Sequence, residues 1–194
     1  MSIGRCLAEY DPCDPPTASL AGRFILPADD VHAMFKRCSS DVQAMFKRYA
    51  CVKQNDAADC GAACLATLVR SHGLKVDLLA IEAYSRLRFQ GANVLELIEA
   101  AKEIGFEARG LRAGPDELDS VLVPCIAHVL IGSLEHYVVI HRVRSKRVII
   151  ADPARGISRE RREEFLRIWT GVLIQLTPRA GARRNKIINL LLKR

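Results

Sequence analysis

The hydrophobic period of this chain changes at Gly105, and that change limits what the chain can become. Before it, apolar residues recur at helical spacing. After it they alternate or run continuously, as strands do. The helical part predicts helices over 58–72, over Val76 to Ser85 and over Ala92 to Ile104, with Gly73 and Gly105 as stops. In the third helix, Leu95, Ile98 and the Ala100-Ala101 pair are expected inward, and Glu96, Glu99, Lys102 and Glu103 toward water. The second part predicts strands over Phe106 to Leu111, Val121 to Ile131, His136 to Val143, Arg147 to Ala151 and Gly171 to Leu176. A helical turn over Pro115 to Ser120 and a helix over Glu163 to Trp169 interrupt them. Helices first and an antiparallel sheet after is the segregated α+β order.

The first helix opens with a chemically suggestive stretch, Gln54-Asn-Asp-Ala-Ala-Asp-Cys60-Gly-Ala-Ala-Cys64. Asp59 is expected to cap it, because a carboxylate there accepts an orphan backbone N–H. Cys60 then stands in the first turn, where unpaired N–H groups and the positive end of the helix dipole favour an anion. A thiolate is the nucleophilic form of cysteine. Gly61, Ala62 and Ala63 leave room for a narrow approach to this turn, and Gln54 can return its amide toward the thiol. The competing reading is a buried structural cysteine, the usual fate of a free thiol.

Charge is unevenly spread. The net charge of +7 comes almost wholly from the last sixteen residues, at +6; residues 1–50 are neutral and residues 51–178 carry +1. The body has no basic face interleaved with aromatics, so nucleic acid is not an expected partner. Residues 1–50 read as an extension, with a proline-broken start and a near-repeat, Val31-His-Ala-Met-Phe-Lys-Arg37 and Val42-Gln-Ala-Met-Phe-Lys-Arg48. The eleven-residue spacing puts both Met-Phe pairs on one face of a short amphipathic helix, either packing or docking on a partner or membrane surface. Residues 51–178 form the expected main domain. Residues 179–194 form a basic tail, either a solvated end or a segment drawn to an anionic membrane. No apolar run approaches a membrane span, and seven cysteines without a signal segment point to a reducing, cytoplasmic setting.

A thiol nucleophile needs a base, and the base needs an orienting group. Of five histidines, His32 lies in the extension and His72 sits at the far end of the Cys60 helix, roughly 18 Å away. His128 reads as a core histidine within an apolar strand. His141 is expected on the face opposite His136. His136 follows a glycine turn at the start of a strand and is the favoured base. If the next hairpin turns at Ser145-Lys146, paired residues sum to about 291, and Asp152 falls opposite residue 139, at the same end as His136. A carboxylate there can hold the ring.

Four ordered motifs carry a resemblance: Gln54…Asp59-Cys60-Gly-Ala-Ala-Cys-Leu, Pro124-Cys-Ile-Ala-His128, His136-Tyr-Val-Val-Ile and Asp152-Pro153. Together they resemble the double-glycine leader peptidases, papain-like cysteine peptidase domains usually fused to the N-terminus of bacterial peptide-exporting ABC transporters. The resemblance covers about residues 51–178 and leaves residues 1–50 without a counterpart. It implies Cys60 as nucleophile, His136 as base and later acid, Asp152 as orienter, and Gln54 with the Cys60 backbone N–H as oxyanion donors. It implies no cofactor and no metal. The partners it implies are a leader peptide and an ABC transporter in the membrane, at whose cytoplasmic face the domain would sit. With no transporter or ATPase stretch in hand, the chain is expected either to stand alone or to be a piece of a longer protein. Rival readings are a non-catalytic leader-docking module, a papain-like acyl transferase, and a metal or redox site built on Cys60 and Cys64.

Overall fold

The computed structural model describes residues 49–74, 78, 81 and 92–179. The Met-Phe repeat over 31–48 and the tail beyond 179 lie outside the described residues. So does the helix expected over 76–85, apart from Leu78 and Ile81, which are helical and buried.

Helix α1 spans Cys60–Ser71, and every residue from Cys60 to Val69 is buried. A helix covered on nearly all sides must be a core element. It ends at Gly73, whose φ of +78° suits glycine and lets Leu74 N–H reach back to the Val69 carbonyl at 3.3 Å. Its start corrects the expected cap. A 3-10 turn, Ala57–Asp59, precedes the helix, and Asp59 makes no cap bond to it. The capping moves one turn upstream: the Asp56 carboxylate accepts Ala58 N–H at 2.7 Å, and the Asp59 carboxylate accepts Asp56 N–H at 3.3 Å.

Helix α2 spans Val94–Glu103 behind a reciprocal cap, with Asn93 accepting Glu96 N–H at 3.0 Å and Glu96 accepting Asn93 N–H at 2.9 Å. Its inward stripe is Leu97, Ala100, Ala101 and Ile104. Leu95 is 63% exposed, against expectation. The stripe at spacings of three, four and seven runs from Leu97, which leaves Leu95 on the outer side. Ile98 is half-buried.

Six strands follow: β1 Phe106–Arg112, β2 Cys125–Ile131, β3 Leu134–Val143, β4 Arg147–Asp152, β5 Gly156–Arg161 and β6 Trp169–Pro178. Helix α3, Arg162–Ile168, joins the last two. The sheet order is β1-β6-β2-β3-β4-β5, antiparallel throughout. β2 starts only after Pro124, not at Val121, since proline has no N–H to give a ladder. β5 was not expected, because Ile157-Ser-Arg-Glu-Arg161 has one apolar residue. α1 and α2 cover one face of the sheet, with Leu65, Leu68, Leu97, Phe106, Val139 and Ile174 between. On the other face, Leu118 and Phe165 pack against Val138, Ile140, Ile150 and Leu173. No helix among the described residues is long and apolar enough to cross a membrane.

The β3–β4 hairpin is irregular. Arg142 pairs with Ile149 and Val143 with Val148, but further along Ile140 pairs with Ile150 and Val139 with Ala151. β3 therefore carries one extra residue, His141, as a bulge. The expected register holds near the turn and is off by one beyond it. Continued one step, the observed register sets Asp152 beside Val138 rather than Val139.

Candidate active site

That shift decides the geometry of the site. The unbulged register would set Asp152 opposite residue 139, three positions from His136, and the bulge draws it to Val138, two positions away. Without the bulge, Asp152 would stand about 3.3 Å further along β3 from His136. With the bulge, His136 Nε2–H donates to Asp152 Oδ1 at 2.9 Å, both side chains buried. The same oxygen accepts Ala154 N–H at 2.8 Å and Arg155 N–H at 3.4 Å. An ionised carboxylate only accepts, so the shared proton belongs to Nε2, and Nδ1 is left to take the thiol proton.

His136 also interacts with the Cys60 side chain, and Nδ1 is the nitrogen left for it. Cys60 is the first residue of α1, 6% exposed. Hydrogen bonds to Asp152 and then to Cys60 raise the His136 imidazole from its ordinary 6.5 to about 9, against the downward pull of burial. Burial pushes the Asp152 carboxyl up, but the bonds from His136 and from Ala154 N–H outweigh it and hold it below the usual range. The structure thus brings together a sulfur, an imidazole and a carboxylate from α1, β3 and β4.

Gln54 stands on the segment that leads into the Cys60 turn. Its Nε2 donates to the Asp56 carbonyl at 2.8 Å, its backbone N–H to the Pro153 carbonyl at 3.2 Å, and its Oε1 is buried without a hydrogen-bond partner. One N–H of the amide is used locally; the second remains for a ligand oxygen.

The small residues after Cys60 have a different use from the narrow approach expected of them. A Cβ on Gly61 would stand 3.0 Å from Leu97 Cδ2 and 3.2 Å from the Ala92 Cβ. Ala62 and Ala63 are buried in the core. Their size lets α2 pack on α1; it does not line a channel.

The remaining described histidines have structural partners. His72 lies against Phe106 with ring centres 5.6 Å apart, and burial holds its imidazole below the ordinary range. Thr170 Oγ donates its single proton to the His128 carbonyl at 3.1 Å, so His128 Nδ1–H donates back to that oxygen at 2.9 Å. This pairing bridges the irregular stretch of β6 where Gly171, at φ +81°, comes so near Ala113 O that a Cβ would sit 2.9 Å from it.

Four groups near the site make contacts to which the sequence assigned no role. The Cys51 thiol donates to the Asp152 carbonyl at 3.7 Å, and burial pushes that thiol up. Thr67 Oγ, buried on α1, accepts Val52 N–H at 2.9 Å. Burial, then the nearby Cys60, pushes the Tyr137 phenol up to about 12. His141 is buried, not solvent-facing, with Nε2–H donating to the Ala50 carbonyl at 2.7 Å and its ring stacked on Tyr49 at 5.0 Å. Tyr137 adjoins His136 and was within reach of inspection; the others depend on long-range packing that no local pattern encodes. Cys64 is fully buried and its thiol lies well above the ordinary range through burial. Among the described residues, no three His, Cys, Asp or Glu are grouped to hold a metal ion.

Comparison with known proteins agrees with this architecture. Residues 48–181 match the Peptidase C39 family. The chain is 34% identical over 131 residues to the probable microcin-H47 secretion/processing ATP-binding protein MchF of Escherichia coli, covering 68% of this chain and 18% of that protein. It is 32% identical over 146 residues to the probable functional amyloid protease FapD of Pseudomonas fluorescens, covering 71% of this chain and 65% of that protein. Among solved structures, the peptidase domain of Streptococcus ComA, a bi-functional ABC transporter, superposes with a TM-score of 0.63 at 34% identity, covering 68% of this chain and 99% of that one. A double glycine motif protease from an AMS/PCAT transporter, in complex with the leader peptide, gives a TM-score of 0.60 at 32% identity, covering 68% of this chain and 95% of that one. The fold is the α+β fold of those peptidase domains, helices before a six-stranded antiparallel sheet. The chain belongs to the Peptidase C39 family, a family of cysteine peptidases. It spans about a fifth of the length of the transporters it matches.

Proposed function

We propose that this protein is a cysteine endopeptidase that cuts leader peptides after a Gly-Gly or Gly-Ala pair, during maturation and export of bacteriocin-like peptides. The observation that carries the reading is the row of interacting side chains from Cys60 through His136 to Asp152, with the His136–Asp152 hydrogen bond at 2.9 Å. Cys60 is the nucleophile. His136 takes the thiol proton at Nδ1, and Asp152 fixes the ring through Nε2. The thiolate attacks the carbonyl carbon after the small pair. The developing oxyanion is held by the free N–H of the Gln54 amide and the Cys60 backbone N–H. His136 returns its proton to the leaving amine, whose C–N bond breaks to leave a thioester. Water, deprotonated by His136, cleaves the thioester and frees the leader as an acid. The chemistry needs no cofactor. The partners in this reading are the leader-bearing precursor and an ABC exporter, with the reaction at the cytoplasmic face of a membrane; kinship with the processing transporters supports it.

The test is incubation of purified protein with a synthetic Gly-Gly leader precursor at neutral pH with reductant, followed by mass spectrometry. Cleavage directly after the pair is expected. Binding without cleavage would instead identify a leader-docking module, and a product carrying a transferred acyl group would identify an acyl transferase.

A further inference from the structure

The bulge in β3 is held from outside the hairpin. His141, the extra residue, lies between the Tyr49 ring and the Ala50 carbonyl. The segment that begins there runs on along the turn after β4: Cys51 Sγ reaches the Asp152 carbonyl, Gln54 N–H the Pro153 carbonyl at 3.2 Å, and Lys53 Nζ the Ala154 carbonyl at 3.1 Å. On its other side, Val52 N–H is tied to Thr67 of α1 at 2.9 Å. One short strap therefore touches the bulge at one end and carries Gln54 at the other. Along its length it grips the backbone from Asp152 to Ala154 and the helix that presents Cys60.

We propose that His141 is a positioning residue for the peptidase reaction, its hydrogen bond to the Ala50 carbonyl locking the bulge that brings Asp152 within reach of His136. This rests on the reading of Cys60, His136 and Asp152 given above. The bond requires a donor at the Nε2 position, because the Ala50 carbonyl only accepts. Burial disfavours the charged ring at His141, so a neutral Nε2–H tautomer is the donor. Without the bond, a bulge has no fixed place in a hairpin. A register moved by one residue carries Asp152 about 3.3 Å further from the imidazole along β3.

His141→Gln keeps an N–H at the reach of Nε2. His141→Phe keeps the stack on Tyr49 and loses the donor, and His141→Asn is too short to span the gap. Each is compared with the parent on a fluorogenic Gly-Gly leader peptide across pH. The titratable groups facing His136 are Cys60 from α1 and Asp152 from β4. With Asp152 displaced, His136 loses the leading cause of its raised pKa, and activity fails at lower pH on the alkaline side. In His141→Phe and His141→Asn, kcat is expected to fall about 100-fold, KM to hold, and the alkaline loss to move toward neutrality. His141→Gln is expected to restore both. An unmoved alkaline loss in folded His141→Phe or His141→Asn overturns the proposal, as does a His141→Gln variant no better than His141→Phe. Asp152→Ala, run alongside, separates the two readings. If it leaves kcat and the pH profile at parental values, the assignment of the site has failed. If it alone is impaired, only the role of His141 has.

Discussion

His136 and Asp152 meet at 2.9 Å across a hairpin in which β3 carries one extra residue, His141, against β4. The carboxylate oxygen that holds the imidazole is itself held by two backbone N–H groups, from Ala154 and Arg155. An orienting group so anchored limits the rotation of the ring it serves, and oriented groups are where enzymes gain much of their rate.

Cys60→Ala is expected to lower turnover of a Gly-Gly leader peptide by at least about 10⁴-fold. The change removes one buried sulfur and no backbone bond, so stability should stay within about 1 kcal/mol of the parent. Peptide hydrolysis and urea denaturation measure the two together. Residual turnover near the parental rate would exclude Cys60 as nucleophile.

Gln54→Ala is expected to reduce kcat by about two orders of magnitude with little change in KM, the signature of a donor used only in the transition state. Steady-state kinetics on the same peptide check it. A rise in KM alone would make Gln54 a substrate-binding residue.

Stability should depend on pH through the same pair. The His136 pKa is raised from 6.5 to about 9, so the fold favours its charged form. That contribution is complete below about 6.5 and is lost as pH rises through about 9. Asp152 is displaced downward, so its contribution is present above its ordinary 3.8 and is lost as pH falls below that. Melting temperatures are expected to drop more steeply between pH 6.5 and 9 in the parent than in His136→Gln. Parallel curves would count against the His136–Asp152 bond in solution.

Gly61→Val should be a folding defect before it is a specificity defect. Its side chain would push into Leu97 and Ala92, already within 3.0 and 3.2 Å of a bare Cβ. Overpacking of this kind costs about 1–3 kcal/mol. Urea denaturation reads it directly. Unchanged stability with a raised KM would return Gly61 to the substrate approach.

Much of this molecule can be read locally, and the exceptions share a cause. The Cys60 helix and its glycine stop follow from spacing alone. The hairpin turn at Ser145-Lys146 correctly placed Asp152 at the His136 end, but one residue off in register. Register depends on a single extra residue, His141, whose partner, the Ala50 carbonyl, lies ninety-one positions away. Leu95 and Leu97 are both plausible inward residues until α1 is in place. Gly61 looked like space for a ligand because its true neighbour, α2, is distant in sequence. Backbone partners of Cys51 and Gln54 on the turn after β4 likewise exist only once the chain has closed on itself.

The position of β6 has a consequence for how such a protein is made. It is the last strand of the sheet to be synthesised, yet it lies between β1 and β2. A nascent chain ending before Trp169 holds β1 and the β2-to-β5 ribbon as separate pieces with two unzipped edges. Translation must therefore run through residue 178 before the ladder can close, and ribosome-bound fragments shorter than this should be prone to sticking together.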